Sequence, residues 1–358
     1  MTKLKEHKPS KMEALKAMTP ADRRRAIFDG IMNNAMFIII ALVIIYVAIK
    51  NPRFLSIPSL VNIISLTAAK LPIALGVGGC IILAGTDISA GRQVGLAACI
   101  SAGLQLTTNK LFPGLQILPI PVVLLCVLVA CAMVGFVNGF FMAKFKLHPF
   151  IVTLSTQLIV YGLVLLFMQL GTNGGQTLSG MSEGYRNFII KPLLTLKTSS
   201  GPVTVPRYVL YSTVITAIVW VIWNKTAFGK NMYAVGSNEE AANVSGVNVS
   251  KTIILVFVMA GMLYGITGFM DAARIASVNA TTGLNYEADA IAACVIGGIS
   301  FVGGIGKVSG AIIGVLLLQI IFAGLNFLSV DANYLYIVKG LIILIACSID
   351  MRKYLVRK

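Results

Sequence analysis

The chain has 358 residues, of which 57% are hydrophobic and only 12% are charged, with a formal net charge of +16. Soluble domains carry about a quarter of charged residues, so this composition excludes an ordinary soluble protein. The long runs are apolar on every side instead of alternating, which excludes a β-barrel and favours an all-α, polytopic bundle of membrane helices.

Apolar runs recur along the chain at close to the ~20 residues that a helix needs to cross a bilayer. They predict a single transmembrane domain over 29–350 between basic tails at 1–28 and 351–358. Ten spans place both termini on one face, which collects 18 of the 29 Lys and Arg residues. That face is predicted to be cytoplasmic, in a multi-pass inner-membrane protein without a nucleic-acid partner. The spans are 29–49, 59–84, 88–107, 118–143, 150–170, 206–224, 252–272, 287–303, 307–328 and 334–350.

Residues 82–98, "ILAGTDISAGRQVGLAA", interrupt an apolar region with polar side chains. Gly85 can end one helix, and the Asp87 carboxylate can cap the next. Arg92 is badly spaced for a pair with Asp87 on one helix, so it either snorkels to the cytoplasmic boundary or bonds a loop between spans. Asp289 can cap the eighth span after Asn285. The alternative role is in a translocation path or gate, for which the candidates are Asp87, Ser89, Arg92, Gln93 and Asp289.

The two halves of the chain contain similar interrupted segments, at 75–98 and 290–314. Both run apolar, break at glycine-rich turns, and resume apolar with one basic residue. Paired interruptions of this kind indicate a transporter pathway between two structural repeats, with 88–107 and 287–303 either crossing or re-entering the membrane. The alternative is that the glycines only permit close helix packing.

The loop 225–251 contains a short helix signal between two spans. Ser237 and Glu240 have the spacing of a capping box, and Gly246 is a natural residue to follow a helix. We predict a helix of about two turns over 238–245, either a solvated connector or a docking element for a cytoplasmic protein. The long outer loop 171–205 is a candidate external docking surface. The candidate residues for docking such a protein, and so for coupling its motion to the membrane helices, are Ser237, Asn238, Glu239, Glu240, Ala241, Ala242 and Gly246.

Motifs for catalysis and for nucleotide binding are missing from the sequence. Lys307 follows a glycine, but Val308 replaces the hydroxyl residue of a phosphate-binding loop and Phe301 replaces its first glycine. The two histidines lie in a tail and a loop, and neither accompanies a catalytic motif. We therefore predict a non-enzymatic chain without a cofactor, driven either by an ATP-binding partner or by an ion gradient.

Three motifs resemble one family of transporters. "EAANVSG" at 240–246 fits the EAA-x3-G pattern of ABC importer permeases. With "GTDISAGRQVGLAA" and "YEADAIAACVIGGISFVGGIGKVSGAIIG", the chain from about 35 onward is similar to the sugar permeases of the ribose, xylose and galactose group. The stretch 91–93 looks most like the galactose/methyl-galactoside branch. The Ile-x-Leu-Pro that follows EAA in many importer permeases is missing here.

The resemblance implies a monosaccharide importer subunit with three partners besides the lipid bilayer: an ABC-type ATPase that binds the ATP, an external sugar-binding protein and a second permease copy. Two other hypotheses stay open. One is an ion-coupled secondary transporter of a small neutral solute, with Asp87 or Asp289 as the coupling carboxylate. The other is a membrane scaffold without transport activity.

Overall fold

The computed structural model describes residue 19 and residues 35–171, 174–198 and 201–355. Most of the predicted tail 1–28, the start of the first predicted span and residues 356–358 lie outside these ranges. Within them the chain is mainly helical, as the composition predicts. Two short antiparallel strand pairs accompany the helices.

The first half of the chain forms helices wherever an apolar run was predicted to span. Prolines lie in the first turn of α2, α4 and α5, where the missing N–H costs no helical hydrogen bond. A 3-10 turn over Pro52–Leu55 joins α1 to α2. The helices are α1 (Ala35–Lys50), α2 (Ile57–Ile82), α3 (Ala90–Gln105), α4 (Ile120–Phe145) and α5 (Pro149–Met168).

The second half alternates long helices with shorter pieces. The strands are β1 (Leu178–Ser179), β2 (Pro192–Thr198), β3 (Gly201–Pro206) and β4 (Ser277–Val278), pairing β1 with β4 and β2 with β3. The β2–β3 hairpin and α9 lie at opposite ends of α7, and we name the two ends of the bundle after them. The helices are α6 (Glu183–Ile190), α7 (Tyr208–Lys225), α8 (Ala227–Ser237), α9 (Glu239–Val244), α10 (Val249–Ile275), α11 (Tyr286–Ile296), α12 (Val308–Phe327) and α13 (Ala332–Leu355).

The centre of the bundle is α10, which packs against α2, α3 and α4. Glycines make the closest of these contacts: a Cβ on Gly135 of α4 would lie 2.2 Å from the Phe257 carbonyl oxygen. A Cβ on Gly139 would lie 2.7 Å from the Cα of Ile254. Glycine therefore lets the two backbones approach directly, as small residues do between membrane helices.

The prediction of about ten full spans is supported only in part. Each predicted span contains a helix, but in the described residues six helices, namely α2, α4, α5, α7, α10 and α12, are long and apolar enough to cross a membrane. At 1.5 Å per residue, the 16 residues of α3 extend about 24 Å and the 11 residues of α11 about 16 Å. Because hydrocarbon is ~30 Å thick, α3 and α11 are partial helices, each too short to cross it alone.

Candidate functional site

The N-termini of the two partial helices meet inside the bundle. A Cβ on Gly91, in the first turn of α3, would lie 2.0 Å from Glu287 Oε2 and 2.4 Å from the Gly283 carbonyl oxygen. Gly283 precedes α11 with φ +82, in the left-handed region, and its own Cβ would lie 2.2 Å from the Gly91 carbonyl oxygen. Gly91 lies in the first predicted interruption, 75–98, whereas Gly283 precedes the second, 290–314. Only glycine fits on either side of this junction.

A buried polar cluster lies immediately before α3. Ser89 Oγ donates to Asp87 Oδ1 and accepts from Gln93 Nε2 at 2.9 Å and from Asn138 Nδ2 of α4 at 3.0 Å. All four side chains are fully buried. A hydroxyl has one proton and two acceptor positions, so Ser89 uses its full bonding capacity. Because its proton goes to the carboxylate, both amides must turn their NH2 groups toward Ser89.

The predicted helix caps are wrong in detail. The N-cap of α3 is Ser89, not Asp87. The Asp87 carboxylate accepts the N–H of Ser89, two residues further on, at 2.9 Å, and this bond forms a turn that precedes the helix. Asn285 is the N-cap of α11 without a side-chain capping bond, and Asp289 does not cap that helix. The Asp87 carboxylate bonds Ser89 instead, and the Asp289 carboxylate pairs with Lys339 of α13.

Arg92 bonds a loop between helices, which is one of the two predicted alternatives. Its Nη1 donates to the Ala280 carbonyl oxygen at 3.1 Å, and its guanidinium carbon lies 4.2 Å from the centre of the Tyr161 ring on α5. Residues 279–285 connect β4, at the hairpin end, to α11.

Charged side chains on four helices pair with one another in the bundle. Lys339 of α13 lies 2.8 Å and 3.0 Å from the two oxygens of Asp289 on α11. Asp271 of α10 lies 2.8 Å from Arg274 Nε and 3.8 Å from Lys70 Nζ on α2. Charges inside a membrane bundle need such partners; the first pair joins α11 to α13, and Asp271 joins α10 to α2.

The pair of Asp289 and Lys339 gives a testable prediction. We expect Asp289→Asn to lower the melting temperature of the detergent-purified protein, because the Lys339 ammonium then remains inside the bundle without its carboxylate. The double variant Asp289→Asn/Lys339→Met removes both charges and should recover most of the loss. A double variant as unstable as Asp289→Asn alone would contradict this pairing.

The predicted coupling helix is present as α9 and ends in a Schellman motif. Gly246 has φ +84 and donates its N–H to the Asn243 carbonyl at 3.0 Å, while Val247 donates to the Ala242 carbonyl at 3.0 Å. Gly246 thus follows the helix as predicted. The predicted capping box is wrong: Asn238 is the N-cap, its Oδ1 accepting from the Ala241 N–H at 2.9 Å.

One face of α9 is anchored and the rest is exposed. Ala242 is buried against Val235 and Val249, which fixes the helix to the bundle. Glu239 and Glu240 are exposed beside it, and Val244 is 88% exposed. The exposed faces of α9 are open to contact with another molecule, and its docking role stays a prediction.

The segment before α9 contacts the glycine-rich turn after α11. Ser237 ends α8 and donates to the Tyr233 carbonyl, and a Cβ on Gly304 would lie 1.9 Å from Ser237 Oγ. Burial raises the pKa of the Tyr233 phenol, which keeps its proton and donates to the Gly306 carbonyl at 3.0 Å. The segment before α9 therefore contacts the turn that joins α11 to α12.

The sequence reasoning missed several residues of this site. Asn138 is a lone amide in the apolar run of α4, and intramembrane polar residues are by default functional candidates, so it had a usable signal. Asp271 and Arg274 have the i,i+3 spacing of a helical ion pair. Tyr264 of α10, which lies 3.9 Å from Cys80 Sγ, had no signal of this kind. In the described residues no group of three or more His, Cys, Asp or Glu side chains could hold a metal ion.

Long apolar helices with partial helices that meet inside the bundle are typical of membrane transport proteins. A family model described as "Branched-chain amino acid transport system / permease component" matches residues 59–347. The chain belongs to this permease family.

Individual relatives match over nearly the whole chain. The galactose/methyl galactoside import permease protein MglC of Haemophilus influenzae is 40% identical over 92% of this chain and 97% of its own length. MglC of Escherichia coli is 38% identical over 94% and 98%. The ribose import permease protein RbsC of Bacillus subtilis is 34% identical over 93% and 97%. No solved structure matches the chain.

Proposed function

We propose that the chain is the membrane permease subunit of an ATP-driven importer that moves galactose or methyl galactoside into the cytoplasm. The observation that carries the proposal is α9: a helix fixed by Ala242 and a Schellman motif, yet exposed on its remaining faces. The similarity to MglC is greater than to RbsC and supports galactose over ribose. The ATP is bound by a partner ATPase that docks on α9.

The remaining partners and the orientation follow from the same proposal. Both termini and the α9 end face the cytoplasm, in keeping with the excess of Lys and Arg on that side. The hairpin end, with α6 and the β2–β3 hairpin of the predicted outer loop 171–205, receives an external sugar-binding protein. A second copy of the permease completes the path. A neutral sugar needs hydroxyl and amide partners more than charges.

Ion-coupled transport is less favoured by the geometry. Asp289, one of its two candidate carboxylates, already pairs with Lys339, and a coupling carboxylate has to release and bind its ion in each cycle. The matching relatives are import permeases, which also disfavours a scaffold without transport activity.

Uptake measurements distinguish the three hypotheses. We expect radiolabelled galactose uptake by cells expressing the permease, its ATPase and its binding protein to fall to background when the ATPase is deleted. An ionophore that collapses ion gradients should leave ATP-driven uptake in vesicles unchanged. Uptake that survives deletion and stops with the ionophore would favour the secondary transporter, and no uptake in any combination would favour the scaffold.

A further inference from the structure

Residues 279–285 form an irregular polar segment on the surface of the bundle. The segment runs in successive turns between β4 and α11, with Asn279 and Thr281 exposed and Asn285 half-buried. Asn279 Oδ1 accepts from the Thr281 N–H at 3.0 Å and from its hydroxyl at 2.8 Å, so the turns are stabilised locally. The Asn285 side chain makes no capping bond to α11.

Contacts with α3 show how far this surface segment lies from the hairpin end, measured along the bundle axis. A Cβ on Gly95 would lie 2.5 Å from the Thr282 carbonyl oxygen, and Gly283 touches Gly91. Gly91 precedes Gln105, the last residue of α3 at the hairpin end, by 14 residues. At 1.5 Å per residue the tip of the segment therefore lies about 20 Å inward from that end.

A second contact gives the same depth. A Cβ on Gly268 of α10 would lie 2.3 Å from the Val94 carbonyl oxygen, and one on Gly261 would lie 3.2 Å from Gln93 Oε1. Both glycines are interior residues of α10, one of the helices long enough to cross the whole bilayer. The first turn of α3 and the segment packed on it are thus at membrane depth.

Irregular backbone at this depth cannot face lipid. Its peptide groups and side chains would lack hydrogen-bond partners in hydrocarbon, and such backbone occurs only against protein or along a water-filled cavity. Thr281 is exposed and Thr282 half-buried in the single chain, so something outside this chain must cover or hydrate them. Beside them, Arg92 and Tyr161 stack on each other and are only partly buried.

We propose that the segment 279–285, with Arg92 and Tyr161, forms one wall of a water-filled sugar passage whose opposite wall is the same surface of a second permease copy. Threonine and asparagine side chains both donate and accept hydrogen bonds, which matches the hydroxyl groups of a neutral sugar. A two-fold axis places the same patch on both sides, so each copy supplies the groups that the other lacks. This inference rests on the proposed import function and adds the location and chemistry of the path.

Cysteine accessibility tests this location. The native Cys126 is exposed and Cys347 half-buried, so both are first replaced by alanine; Cys80, Cys99, Cys131 and Cys294 are buried. Thr281→Cys is then treated with a small, charged, thiol-specific reagent in membranes that also contain the ATPase. The matched control is Ile218→Cys, on the exposed apolar face of α7. A charged reagent reacts with thiolates in water, and a thiol in hydrocarbon does not ionise.

We expect Thr281→Cys to react at least tenfold faster than Ile218→Cys, and saturating galactose with the binding protein to slow its reaction several-fold. A short bifunctional maleimide should also link two Thr281→Cys permeases into a covalent dimer. Equal labelling of the two variants, or no covalent dimer, in membranes that still import galactose with ATP overturns the inference and leaves the import function standing. Asn279→Cys repeats the test if Thr281→Cys fails to insert.

Discussion

Glu240→Lys combined with Gly246→Pro is expected to abolish co-purification of the permease with its ATPase. Glu240 lies exposed in the first turn of α9, so lysine reverses the charge that the docking partner meets. Gly246 has φ +84, whereas proline fixes φ near −65° and has no N–H to donate to Asn243. The Schellman motif that ends α9 is then lost, and the helix changes both its charge and its orientation.

Glu183→Lys is the matched control, because Glu183 is an exposed acidic residue in the first turn of another short helix, α6, at the hairpin end. This variant should co-purify with the ATPase as the parent does. Membrane insertion of the double variant is checked by its yield in the membrane fraction. A double variant that inserts and still binds the ATPase at the parental ratio would remove α9 as the docking site.

The position of α9 could be predicted from the sequence because its signals are local. The acidic first turn and a glycine after the last turn act within a few residues, and the structure has its helix there. The choice of cap was wrong because α8 continues to Ser237, whose hydroxyl donates to the Tyr233 carbonyl instead. Where two helices follow each other directly, the earlier helix decides which residue is left to cap the later one.

The junction of the two partial helices was only half predictable. The glycine-rich interruption at 75–98 indicated the break before α3, whereas Gly283 precedes the second predicted interruption, 290–314. Which residues meet depends on contacts such as Gly91 with Gly283, almost two hundred positions apart in sequence. The ion pair of Asp289 with Lys339 likewise depends on the packing of α13 beside α11. A single sequence carries no local signal for either contact.

These contacts form a continuous route from the docking helix to the proposed passage. α9 follows α8 directly, and Tyr233 of α8 bonds Gly306 in the turn after α11. The other end of α11 follows Gly283, which touches Gly91 at the start of α3. In the proposed importer, closure of the ATPase dimer would move α9 and displace α11 as a rigid unit. Its start, beside residues 279–285, would then shift at the passage wall.

The Asp87–Ser89–Gln93–Asn138 cluster, beside the start of α3 where this route ends, should be sensitive to a small change. Ser89→Ala removes the donor to Asp87 and the acceptor of both amides, which leaves the Gln93 and Asn138 NH2 groups unpaired in a fully buried site. A buried polar group without its partner costs about 1–3 kcal/mol, so we expect Ser89→Ala to lower the free energy of unfolding by about 3 kcal/mol or more. Sugar uptake should fall with it.

Ser101→Ala is the comparison that separates this cluster from the general loss of a buried hydroxyl. Ser101 is also fully buried in α3, but its hydroxyl donates to the Ala97 carbonyl one turn earlier, and that carbonyl belongs to the regular helix. Its removal should cost about 1 kcal/mol or less. Thermal unfolding in detergent and galactose uptake are measured for both variants. Equal losses from Ser89→Ala and Ser101→Ala would show that the cluster adds nothing beyond ordinary packing, since only Ser89 joins α3, α4 and the Asp87 turn.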